Sequence, residues 1–111
     1  MWNWAAVFVA ASLIGCAAQS DLEQRSFMGM SQTQIRAELG APDKEDKLTK
    51  QGEHIFGPIE GLWDQMPSGE TLTIWTYSTS NGRKELYFVG DKPEVAGEFY
   101  WYDDDSRNPN F

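Results

Sequence analysis

The chain has 111 residues, with 17 Asp and Glu against 9 Lys and Arg, for a formal net charge of -8. That length supplies one domain, because single cores begin to split only beyond about 250 residues. The acid excess argues against nucleic acid, and against an anionic membrane surface held by charge, since both need a basic face. The charge is also unevenly placed: residues 1–20, MWNWAAVFVAASLIGCAAQS, carry none, and every charged side chain lies between Asp21 and Arg107.

The uncharged head is apolar from Trp4 to Ala11 and again at Leu13, Ile14 and Gly15. Its run fits the apolar core of an export signal better than a membrane span, which needs about 20 apolar residues. As a helix at about 1.5 Å per residue the whole head would just cross a bilayer, so an uncleaved anchor is the competing reading. Cys16 is the single cysteine and has no internal disulfide partner. Leu13-Ile14-Gly15-Cys16 resembles the lipobox of bacterial lipoproteins. The resemblance implies cleavage between Gly15 and Cys16, a diacylglycerol on the Cys16 sulfur, and acylation of the new amine. The plainer alternative is Cys16 as a small buried hydrophobe. By the same analogy Ala17, in place of an Asp, points to the outer membrane. The expected organisation is a signal at 1–15, a lipidated cysteine and flexible tether at 16–26, a domain at 27–105 and a tail at 106–111.

The first element of the domain is a helix over 32–39. Ser31 and Gln34 have the spacing of a capping box, Met30 is placed to staple onto Ile35, and Gly40 and Pro42 end the run. Residues 43–53 are polar, with Leu48 as the one large apolar side chain, and read as a loop. A second helix over 58–66 follows from Ile59, Leu62, Trp63 and Met66, which share one helical face.

The remainder has β character. Residues 71–79 (TLTIWTYST), 85–89 (ELYFV) and 95–102 (VAGEFYWY) read as three strands, joined by Asn81-Gly82 and by Gly90 to Pro93. Gly97 marks a bulge or a close approach. Alternation gives one sheet face Leu72 and Ile74, and the other Trp75 and Tyr77. Neither face is purely polar, so one is expected under the helices and the other to expose aromatic surface. The predicted fold is α+β, two short helices on a three-stranded antiparallel meander, in the order ααβββ.

The order of motifs resembles the SmpA/OmlA (BamE-like) family of small outer-membrane lipoproteins. The residues that carry it are the lipobox, Gly29-Met30-Ser31 opening a helix, Leu39-Gly40-Ala41-Pro42 closing it, Trp75-Thr76-Tyr77 in a strand, and Phe88 in its partner. The resemblance covers about residues 27–102. It implies two helices on one face of a three-stranded sheet, and an accessory part in the outer-membrane β-barrel assembly machinery. The stretch from Ala41 to Ile74 is longer than the family pattern. That fold also resembles secreted β-lactamase-inhibitory proteins, so it does not choose the partner.

No nucleophile and base stand at a catalytic spacing, and no Gly-rich phosphate loop or paired His occurs, so the chain is expected to be non-enzymatic, without cofactor or small-molecule substrate. His54 is a lone histidine and a poor ligand or catalyst. Asp103, Asp104, Asp105 and Asn108 offer oxygen ligands for a weak calcium site, but a solvated tail is the favoured reading. Two functions follow. One is a module anchored to the membrane by acyl chains on Cys16 and bound to an envelope protein. The other is a tethered inhibitor or ligand-binding module acting on an envelope or secreted enzyme.

Overall fold

The computed structural model describes residues 22–110. Helix α1 spans Gln32–Leu39 and opens with the expected reciprocal cap. Gln34 N–H donates to Ser31 Oγ at 3.2 Å, and Ser31 N–H donates to Gln34 Oε1 at 2.9 Å. At the other end Gly40 sits at φ 79°, a region that favours glycine, and its N–H reaches the Arg36 carbonyl at 2.9 Å. Met30 and Leu39 pack beside the fully buried Ile35.

The sheet has four strands rather than three. Strands β1 (Lys44–Thr49), β2 (Thr71–Ser78), β3 (Gly82–Val89) and β4 (Gly97–Tyr102) are all antiparallel and lie in the order β1-β2-β3-β4. The expected ααβββ order is therefore corrected to αβαβββ, with β1 drawn from the segment read as a loop. The reason is physical. β1 is an edge strand whose residues are exposed at five of six positions, so KEDKLT supplies main-chain hydrogen bonds and almost no apolar face. Without alternation there was no period to read. Charge on an edge strand also discourages pairing with other chains. Leu48, its one apolar residue, stands opposite Leu72.

Helix α2 spans Glu60–Gln65, shorter at both ends than periodicity suggested. Of the predicted stripe, Leu62 is half-buried, Ile59 and Met66 are buried at the two caps, and Trp63 is buried on the helix. Its C-terminal end is held by the residue that follows β1: Lys50 Nζ donates to the carbonyls of Trp63 at 2.7 Å and Met66 at 2.6 Å. A cation there also suits the negative end of the helix. Trp63 Nε1 donates to the Glu53 carbonyl at 3.0 Å.

The helices do not share a face. Ile35 of α1 clusters with Trp75, Tyr77, Leu86 and Phe88, whereas Ile59, Trp63 and Met66 cluster with Leu72 and Tyr87. Leu86 and Phe88 flank Tyr87 on one strand and so point away from it. Each face of the sheet thus carries its own helix, which corrects the one-sided packing that the family resemblance implied. Both faces bear large apolar side chains, and each needs a cover.

Two glycines set how closely the strands approach. β3 begins at Gly82, so the loop residues of the β2–β3 hairpin are Ser80 and Asn81, closed by Thr79 N–H on the Gly82 carbonyl at 2.9 Å. A Cβ at Gly82 would collide with the Trp101 carbonyl. At Gly97 the bulge read from the sequence is present. Gly97 pairs with Tyr87, and Ala96 N–H also donates to the Tyr87 carbonyl at 2.8 Å, so two residues face one.

Candidate interaction surface

Gly15 and Cys16, the residues assigned to cleavage and lipidation, lie outside the described residues, as does the rest of the signal. The fold nevertheless bears on the segment behind them. Leu22 is only 3% exposed and belongs to the core with Phe27, so the stretch to residue 26 expected as tether is packed from Leu22 onward. Residues 22–27 form a strap across the α1 side of β3 and β4.

The strap is fastened at several points. Asn81 Nδ2 donates to Glu23 Oε1 at 3.4 Å, and Arg25 forms an ion pair with Glu38 of α1 at 2.6 Å. Lys84 Nζ donates to the Arg25 carbonyl at 3.1 Å, while its own side chain is 6% exposed. Phe27 N–H donates to Glu98 Oε1 at 2.8 Å, and Ser26 Oγ donates to the other carboxylate oxygen. Lys84 Nζ closes the group at 3.2 Å from Glu98 Oε1. Burial alone would raise the Glu98 pKa. The hydrogen bonds from Ser26 and Phe27 and the Lys84 charge outweigh it, and hold the carboxyl below its ordinary 4.5. The sequence signal for this group is that Lys84 and Glu98 interrupt strand faces whose neighbours are apolar or aromatic.

The aromatic face expected to be open is largely covered. Trp75, Tyr77, Tyr87 and Phe88 are buried, and Phe99, Tyr100, Trp101 and Tyr102 are half-buried. The large apolar side chains that are exposed among the described residues are Met28, Leu48 and Phe56, which the reading of the strands did not single out. Beyond α2 on its side of the sheet, Glu85 organises the polar contacts. Its Oε1 accepts from the Tyr87 hydroxyl at 2.7 Å and from Trp101 Nε1 at 2.9 Å, and Arg83 approaches its other oxygen at 3.5 Å. Burial, with the Glu85 carboxylate beside it, pushes the Tyr87 hydroxyl pKa far up. Phe99 and Trp101 meet edge to face at 4.8 Å. Next to α2 a cleft of about 240 Å³ has Leu62, Met66, Val89 and Ala96 along its walls, with Glu70 and Lys92 as its charged groups.

His54 lies on the surface between two carboxylates, 3.4 Å from Glu60 and 3.5 Å from Asp64. In the acidic tail Asp103, Asp104 and Asp105 are exposed, and Asp104 and Asn108 bond to nearby groups of their own segment. Asp104 accepts from the Ser106 N–H at 3.1 Å and from its hydroxyl at 2.7 Å, and these bonds hold its carboxyl below the ordinary range. Asn108 accepts from the Tyr102 N–H and donates to the Tyr102 carbonyl, both at 2.8 Å, so its amide is spent on the strand end. Among the described residues no group of three or more His, Cys, Asp and Glu is placed to hold a metal ion, and no helix is long and apolar enough to cross a membrane. No family model, curated protein or solved structure matches the chain.

Proposed function

We propose that this chain is a lipid-anchored, non-enzymatic interaction module of the bacterial envelope, held at the periplasmic face of the outer membrane by acyl chains on Cys16 and bound there to a protein partner. The observation that carries this reading is the join between head and fold. A Leu-Ile-Gly-Cys sequence closes an uncharged apolar run, and within a few residues Leu22, the first residue of the strap, is locked into the core, with the strap fastened to the Lys84–Glu98 ion pair of the sheet. A domain fastened at the point where its anchor enters suits a part that is displayed from a membrane. The order of motifs further supports a role akin to that of SmpA/OmlA lipoproteins in a β-barrel assembly complex. The fourth strand and the helices on opposite faces distinguish this scaffold from the one that resemblance implied.

Cys16→Ser tests the anchor. The variant is expected to leave the membrane fraction, and the wild-type protein to have the intact mass of a chain cut before Cys16 and acylated. Retention of the variant in the membrane at the wild-type level would replace the lipid anchor with an uncleaved helix. Affinity capture from detergent-solubilised envelopes tests the partner: stoichiometric recovery of a β-barrel assembly complex supports the proposal, and recovery of a soluble enzyme instead overturns it in favour of a tethered inhibitor.

A further inference from the structure

We propose that the trough beside α2 is a docking site for an extended segment of a protein partner that carries a basic side chain close to an apolar one. Two hollows make up the trough. One is the cleft walled by Leu62, Met66, Val89 and Ala96, and the other is a shallow hollow bounded by Thr71, Gly90 and Asp91. They meet at Pro67 and Glu70, which line both. A long depression open on its outer side suits an extended chain better than an enclosed small molecule.

Glu70 decides the chemistry of the occupant. It is half-buried, and its carboxylate makes no hydrogen bond or ion pair among the described residues. The neighbouring cation is spent elsewhere: Lys50 N–H donates to the Glu70 carbonyl at 2.9 Å, but Lys50 Nζ is held by the α2 carbonyls. Gly90, at φ 59°, makes room for the carboxylate, because a Cβ there would strike Glu70 Oε1. The Gly90 N–H is already given to the Thr71 carbonyl at 2.8 Å, so Glu70 keeps its acceptor capacity for an incoming donor. Asp91 adds a second negative charge to the hollow, and the net charge of -8 draws a basic partner from longer range. The cleft supplies the apolar half of the match. Leu62 and Val89 on its walls are half-buried, so an apolar side chain seated there would remove from water surface that the fold leaves wet. Lys92 lines the cleft and not the hollow, which sets the order: the apolar group enters the cleft, and the base lies against Glu70 and Asp91. The proposal rests on the function proposed above only in taking the occupant to be part of a protein.

The test uses the isotope-labelled full chain in nanodiscs of zwitterionic lipid, which present neither detergent nor an anionic surface. The probes are three end-capped peptides: Lys-Gly-Leu-Gly-Lys, the same with Glu for both lysines, and the same with Gly for the leucine. A base on each side of the leucine lets either chain direction bring one to Glu70. The first peptide is expected to shift the amide signals of Gly90 and Ala96, with half-saturation at a concentration about tenfold below that of either other peptide. An equal response to the leucine-free peptide reduces the site to unspecific charge, an equal response to the acidic one removes the part given to Glu70, and no shift at Gly90 and Ala96 leaves no site; each overturns the proposal. Glu70→Gln is expected to weaken binding about fivefold, and Ala96→Phe, which fills the cleft from an exposed position, about tenfold, both with the amide signals of α1 and the strap unchanged. Wild-type affinity in either variant also overturns it. Envelope capture gives a separate answer. A β-barrel assembly complex recovered undiminished with Ala96→Phe overturns the trough alone, whereas peptide binding without a captured complex upholds the trough and overturns only the assembly role.

Discussion

Lys84 Nζ lies 3.2 Å from Glu98 Oε1, diagonally across β3 and β4 and beneath the strap formed by residues 22–27. The pair holds the strap at both ends of one contact, since Lys84 also bonds the Arg25 carbonyl and Glu98 bonds the Phe27 amide. Removing one partner leaves the other charge poorly solvated, a larger loss than the pair's own net worth.

Lys84→Ala is therefore expected to destabilise the fold by about 3 kcal/mol, measured by urea unfolding. The pH dependence has a defined sign. Because the folded protein lowers the Glu98 pKa, its contribution is complete above the ordinary value of 4.5 and is lost as pH falls through the lowered one. Glu98→Gln is expected to be less stable than wild type at neutral pH, with a shallower loss of stability on acidification over that window.

Tyr77 donates its hydroxyl to the Gly40 carbonyl at 2.9 Å, tying β2 to the end of α1. Burial, reinforced by Asp43 and opposed by Arg36, pushes its pKa up to about 12. In the unfolded chain the phenol ionises near 10, so stability is lost as pH rises from that value through about 12. Tyr77→Phe should lose about 1 kcal/mol at neutral pH and show a smaller alkaline loss, followed by circular dichroism across an alkaline titration.

The glycines separate cleanly. Gly82→Ala sets a Cβ against the Trp101 carbonyl and is expected to cost about 2–3 kcal/mol. Gly61 is exposed within α2 and a Cβ there meets nothing within 4 Å, so Gly61→Ala should stabilise by about 0.5–1 kcal/mol. Thermal melts of the two variants should move in opposite directions.

Two buried tryptophans should respond differently to Phe. Trp63 loses its bond to the Glu53 carbonyl, whereas Trp75 Nε1 is buried without an acceptor among the described residues. An unsatisfied buried donor is itself unfavourable. Trp63→Phe is expected to be the more destabilising by about 1 kcal/mol, compared by chemical denaturation.

The parts of the fold legible in the sequence are those whose own residues carry a period or a cap. α1 was readable from Ser31, Gln34 and Gly40, the α2 stripe from Ile59, Trp63 and Met66, and β2 from its β-branched and aromatic run. β1 was not, because its residues are held by β2's backbone and show no face of their own. The separation of the helices was also hidden: alternation on β3 divides Leu86 and Phe88 from Tyr87, but does not say which helix covers which side. In the uncharged head, Cys16 was conspicuous by type and position. Leu22 was not, because one leucine among polar residues looks like tether until the core that receives it is known.

The burial of Leu22 limits how far the domain can wander. If Cys16 bears the lipid, residues 17–22 are all the chain that lies between the bilayer and the first core side chain, a leash of at most about 22 Å when fully drawn out. That is comparable to the thickness of the domain itself, whose shortest extent is 19 Å. So anchored, the domain would not range far from the bilayer in search of soluble targets. Whatever it grips must come to the membrane surface or reside there, and lengthening the leash would relax that requirement without touching a single contact in the fold.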